Sequence, residues 1–202
     1  MDFQIDRGIW SINGPEVVFA SAPMHTRMTV IRLQDGRLWI HLPIKLTQKV
    51  SGFLAELGGS VAALIAPNKY HYMFIEPWRT AFPETKVFAE EHLTRKQPCL
   101  ANVQILNDSS PSIYAQNIDQ IVFRGNNLFQ EAVFFHKAHG SLIFTDLMTD
   151  LNTKGMKLLP RLFLRFEGIS YPNGSIPRVY RCFTQDKAKA RDALQRTRWW
   201  RP

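Results

Sequence analysis

Val61-Ala62-Ala63-Leu64-Ile65-Ala66 is an unbroken apolar run closed by Pro67-Asn68. A run this short, bounded by a breaker, reads as a strand covered on both faces, because a half-exposed strand would alternate. Upstream, Thr47 to Leu57 sets Val50, Phe53, Leu54 and Leu57 at helical spacing, with Thr47 as the cap and Gly58-Gly59 as the stop. Downstream, residues 71–81 predict a short helix that Pro77 limits or kinks. Val87-Phe88-Ala89 then forms another short strand. Strand, helix and strand in that order make one α/β unit.

Two hairpins flank this unit. Met28 to Leu33 alternates like a strand, Gln34-Asp35-Gly36-Arg37 carries the Asp-Gly turn signal, and Leu38-Trp39-Ile40-His41 returns before Pro43. Later, Glu131 to His136 and Ser141 to Asp146 pair across a turn at Lys137–Gly140. Hairpins exclude an all-parallel sheet, so the expectation is a layered α/β domain over residues 1–202. Residues 1–27 read as an irregular N-terminal segment, broken at Asn13-Gly14-Pro15 and Ala22-Pro23. Residues 90–130 give no clear pattern beyond the turn at Gly125-Asn126-Asn127, and Leu147 to Leu164 is apolar and partly helical. A Gly/Pro-rich loop covers 168–177, and residues 184–202 form a basic C-terminal helix capped by Thr184 or Asp186.

Composition bounds the function. With 202 residues, 45% hydrophobic, the chain can bury a real core, and 14 Phe with ten further Trp and Tyr argue against disorder. No apolar run approaches the roughly 20 residues of a membrane span. The start, Met1-Asp2-Phe3-Gln4-Ile5-Asp6, lacks the basic and apolar regions of a secretory signal. Cys99 and Cys182 stand far apart outside any CxxC, which favours a reducing cytoplasm and two buried, inert thiols. The net charge of +8 is concentrated at the end, where Lys187, Lys189, Arg191, Arg196, Arg198 and Arg201 face one acid, Asp192. That segment reads as a solvated helix face in preference to a nucleic-acid groove.

No phosphate loop, GxGxxG, GxSxG, HExxH or CxxC is present, and no two histidines lie at i, i+4. Topology supplies the candidates instead, since functional groups in layered α/β folds collect where strands end. His41 ends one strand, Asn68 and His71 follow another, and Glu131 and Asp146 meet at the open end of the second hairpin. His136 and His139 sit at its closed end, about 17 Å away, and are set aside.

The stretches Thr29 to Pro43, Ala66-Pro67-Asn68-Lys69-Tyr70-His71 with Trp78, and Glu131 to His136 with Leu142 to Asp146 resemble an uncharacterised family, a domain of unknown function related to the metallo-β-lactamase fold. The resemblance runs from about Met28 to the end of the chain. It implies a metallo-β-lactamase-like αβ/βα sandwich with two mixed sheets and a site along one edge. Hydrolases of that fold carry His-x-His-x-Asp-His after a strand; in Ala66–His71 only the last His is kept. By the same resemblance Asp146 matches a metal-bridging Asp, Glu131 lies near the third His loop, and His41 lies near an acidic residue after an early strand. Relatives run on to a strand followed by Ala-His-Gly, so the C-terminal part here is expected to be incomplete.

Two functions of different class follow. One is a metal-dependent hydrolase of a small ester, thioester or phosphoester. In it His71, Asp146, Glu131 and His41 hold one divalent ion (Zn, Mn or Fe), with Asn68 and Trp78 in the substrate pocket. The other is a degenerate scaffold lacking the dinuclear zinc motif and kept for binding a small molecule or protein. The missing ligands weigh toward the scaffold. Plainer roles compete residue by residue: His71 as a helix entry, Asp146 as an N-cap, Glu131 and His41 paired with each other or with Arg32, and Trp39 and Trp78 as core.

Overall fold

A computed structural model describes residues 2–19, 22–97, 100, 103–126 and 129–200. Seven strands form one sheet in sequence order: β1 (Asp2–Asp6), β2 (Ile9–Phe19), β3 (Ala22–Arg32), β4 (Leu38–His41), β5 (Val61–Ala66), β6 (Lys86–Ala89) and β7 (Gln104–Ile105). The first four pair antiparallel, and β4 to β7 run parallel. A second sheet orders β10 (Ser141–Ile143), β9 (Glu131–His136) and β8 (Ile118–Phe123). It is antiparallel throughout, so only the larger sheet is mixed.

The parallel half has its helices between strands, as βαβ crossovers require. Helix α1 (Gln48–Leu57) starts where the Thr47 hydroxyl accepts the Val50 N–H at 3.3 Å, and it ends at Gly58 with φ +71°. Helix α2 (Ile75–Ala81) begins later than residue 71. That puts Pro77 in its first turn, where no intrahelical N–H is needed. Helix α3 (Glu91–Lys96) is capped by the Glu90 carboxylate on His92 N–H.

Alternate side chains of the strands divide three cores. Leu38, Ile40 and Leu64 face α1 to α3, beside Val50, Leu54, Ile75, Trp78 and Leu93. Trp39, Ala63, Ile65 and Phe88 face the second sheet, against Ile118, Val122, Ala132 and Phe134. Behind that sheet, Ile121 and Val133 meet Ala193 of α6 (Lys187–Thr197). The order helices, sheet, sheet, helix is the four-layer sandwich.

Several expectations are corrected. The N-terminal 27 residues are not irregular: β1, β2 and most of β3 lie there. Asn13-Gly14-Pro15 becomes a bulge, with the β2–β3 register shifting between Asn13 and Glu16. β1 pairs only as far as Ile12, so Pro15 interrupts no ladder on that side. β8 escaped the sequence because it is covered by the seven-stranded sheet on one face and by α6 on the other, which removes any alternation. The span 147–164 is helical only from Leu158, in α4 (Leu158–Glu167). Cys182 closes the short helix α5 (Arg178–Cys182) and is exposed, not buried; Cys99 lies outside the described residues. The C-terminal basic helix is partly structural. Arg196 and Arg124 both bond the Asp108 carboxylate, at 2.9 and 2.7 Å, and Trp200 stacks on Phe135.

Candidate functional site

β4, β5 and β9 bring their ends to one rim. His41 closes β4, Asn68 follows β5 after Pro67, Glu131 opens β9, and Asp146 lies three residues past the end of β10. An isolated bridge joins Asn68 to Glu131, tying the two sheets together at this point.

Glu131 is fully buried and organises the loop above it. Its Oε1 accepts the Thr145 N–H at 2.8 Å, and its Oε2 accepts those of Asp146 and Leu147 at 2.7 and 3.1 Å. This is why β10 stops at Ile143: the following amides turn from the ladder to a carboxylate. Burial pushes the Glu131 carboxyl up to about 7, helped by the Asp146 charge and opposed by these N–H donors and by Asn68.

Asn68 is oriented by its own backbone, since its Oδ1 accepts the Tyr70 N–H at 3.0 Å. Its Nδ2 therefore points at the carboxylates. It donates to Glu131 Oε2 at 3.1 Å and to Asp146 Oδ2 at 2.9 Å. His71 Nε2 donates to the same Asp146 oxygen at 2.9 Å. Burial acts to raise the Asp146 pKa, but the His71 bond and charge and the Asn68 bond outweigh it, and the carboxyl sits below its usual value. His71 and Asp146 keep about a third of their side-chain surface exposed, so solvent reaches this pair.

His41 stands behind. Its ring stacks on Trp39 at 5.5 Å and meets Phe134 edge-on. Nε2 lies 3.3 Å from Thr145 Oγ1, and Nδ1 is buried with no partner among the described residues. Burial, with the His71 charge, lowers its pKa to about 3, so the ring is neutral.

His41, Asn68, His71, Glu131 and Asp146 thus share one rim. The alternative pairings fail: Arg32 binds the Leu57 carbonyl and lies over Trp10. No helix starts at Asp146, which removes its capping role. Trp78 is not in a pocket. It is wholly buried in the helical layer, its Nε1 donating to the Ile44 carbonyl at 2.7 Å. Sequence reading missed Thr145 and Tyr180. Burial raises the Tyr180 pKa, and Asp146, Tyr70 and Glu131 raise it further, which places its phenol by the rim. Tyr180 also stacks on Phe129, which stacks on Tyr70. The one available hint was Tyr70, at the position where the fold's hydrolases carry the motif Asp.

A bound metal would need open carboxylate and imidazole lone pairs converging on a void. Here the convergence point holds the Asn68 amide, a hydrogen-bond donor fixed in place, and Glu131 has both oxygens occupied. Among the described residues no group of three or more His, Cys, Asp or Glu is placed to hold a metal ion. The side chains present do not fit the ion.

Comparison with known proteins agrees with the architecture. The model of a domain of unknown function, DUF4336, matches residues 7–167. No curated protein matches in sequence. Among solved structures, the DIM-1 metallo-β-lactamase exposed to ceftazidime superposes with TM-score 0.60 at 10% identity, covering 96% of this chain and 97% of that one. TMB-1 gives 0.59 at 9% identity with 98% of each chain covered, and the metallo-β-lactamase from Pontibacter korlensis gives 0.56 at 12%, with 92% and 96% covered. Identities this low speak for the fold alone. The chain belongs to the DUF4336 family, a domain of unknown function, and is built on the metallo-β-lactamase fold.

Proposed function

We propose that this chain is a metallo-β-lactamase-like scaffold whose rim works without a metal and binds a small polar molecule or a protein. The observation that carries the reading is the Asn68 amide, held by Tyr70 N–H and donating to both Glu131 and Asp146. A neutral donor thereby does the bridging that a cation does between carboxylates. What remains for a ligand is the exposed His71–Asp146 pair. With Nε2–H given to Asp146, His71 presents its other ring nitrogen, Nδ1, to a ligand, and the Tyr180 phenol keeps its proton as a donor.

The competing reading is a divalent-metal hydrolase of a small ester, thioester or phosphoester. Expression in medium supplemented with zinc, manganese and iron, followed by elemental analysis, separates the two. The scaffold reading expects well under one equivalent of metal and no thermal shift on adding any of the three ions. One equivalent of metal, lost in both His71→Ala and Asp146→Ala while the fold persists, would overturn it.

A further inference from the structure

Helix α4 has its apolar side on the outside. Leu158, Leu159, Leu162, Phe163 and Phe166 are between 50% and 79% exposed. At about 100° per residue these five fall within one arc of roughly 140°. The opposite side holds the helix to the protein: Leu164 is half-buried, and the buried Glu167 carboxylate accepts the Val179 N–H at 2.9 Å. The arrangement inverts the usual surface helix, whose apolar stripe faces the core.

Charge decides what covers this face. From Leu151 to Gln185 the cations are Lys154, Lys157, Arg161, Arg165, Arg178 and Arg181, and the only acid is the inward Glu167. Arg161 and Arg165, one turn apart, flank the apolar arc, and the Arg178 guanidinium lies 5.1 Å over the Phe166 ring. A second copy placed face to face would set these cations against themselves, with Asp150 and Asp186 only at the ends of the stretch. A bilayer surface with anionic headgroups answers both features, since the five side chains enter the acyl boundary while the cations meet phosphates. Ten residues span about 15 Å, half the hydrocarbon thickness, so such a helix lies along the surface and does not cross.

We infer that the Leu158–Phe166 face of α4 docks this protein on an anionic lipid surface. This stands apart from the reading of the rim, which shares none of its residues.

Co-sedimentation of the full chain with phosphatidylcholine vesicles, with or without about one-third phosphatidylglycerol, tests it. Binding to the anionic vesicles is expected to be at least about tenfold tighter than to the neutral ones, and to weaken when salt shortens the screening length. Leu159→Ser with Phe163→Ser, and separately Arg161→Glu with Arg165→Glu, should each weaken it about tenfold or more, with circular dichroism unchanged. Lys187→Glu with Arg191→Glu on α6 should leave most of the binding, which separates a directed face from net charge. Equal binding to both vesicle types, no binding, or loss of binding only in the α6 variant overturns the proposal. So does a dimer in sedimentation that the Leu159/Phe163 variant dissolves.

Discussion

The rim and helix α4 treat polarity in opposite ways. At the rim a glutamate and an aspartate are drawn into the protein, and their oxygens are met by amides, an asparagine and a histidine. On α4, leucines and phenylalanines are turned out of the protein with arginines beside them. Burying a carboxylate is costly unless it is hydrogen-bonded, and leaving apolar surface in water forgoes its burial energy. The first arrangement is complete within one chain. The second becomes complete only against another surface. Stability is therefore concentrated in the sandwich and its rim, and α4 adds little to it.

The contrast can be broken at measurable points. The largest effect belongs to His41, neutral because it is buried. Its pKa is lowered, so the unfolded chain binds a proton that the folded one does not between about pH 6.5 and 3. Stability is then fully present above 6.5 and is lost as pH falls through that window, by up to roughly 5 kcal/mol. Glu131 acts in the opposite sense. Its raised pKa makes stability fall as pH rises from about 4.5 to about 7. Unfolding in urea across pH 3–8 should thus show a fall in stability below about pH 4.5, near cancellation of the two between about 4.5 and 6.5, and a short decline from there to about 7. His41→Asn is expected to flatten the acid fall and Glu131→Gln the decline toward 7.

Next in size is Glu131→Ala, which strands three loop amides and the Asn68 donor. A loss of about 3–5 kcal/mol is expected by denaturant unfolding, with Asp146 no longer held. Leu64→Ala, in the covered strand β5, should cost about 2–5 kcal/mol. Leu159→Ala on α4 makes the same chemical change on an exposed side chain and should stay within about 0.5 kcal/mol. A cost near that of Leu64 would mean that α4 is covered in solution by the protein itself.

Those effects follow the division between what could be read from sequence and what could not. Strand β5 was legible to the residue because full burial on both faces leaves an unbroken apolar run before a breaker, and β4 and β9 were legible through the hairpin turns beside them. Helix α1 was legible through Thr47 and Gly58, whose side-chain and backbone chemistry acts locally. The β2–β3 ribbon was not, because Gly14 and Pro15 signal a break while the long-range pairing absorbs them as a bulge. The meeting of His41, Asn68, His71, Glu131 and Asp146 could be anticipated from strand ends alone. Their chemistry could not, since the aim of the Asn68 amide depends on Tyr70 N–H, and the end of β10 depends on a carboxylate 14 residues upstream of Thr145.

Three successive peptide groups anchored on the first residue of β9 also tie the small sheet to the edge it supports. Sliding β9 by one position would swing Glu131 to the opposite side and leave the 145–147 loop unmoored. Strand pairing and the height at which Asp146 stands are consequently a single degree of freedom, and any change that loosens one is felt by the other.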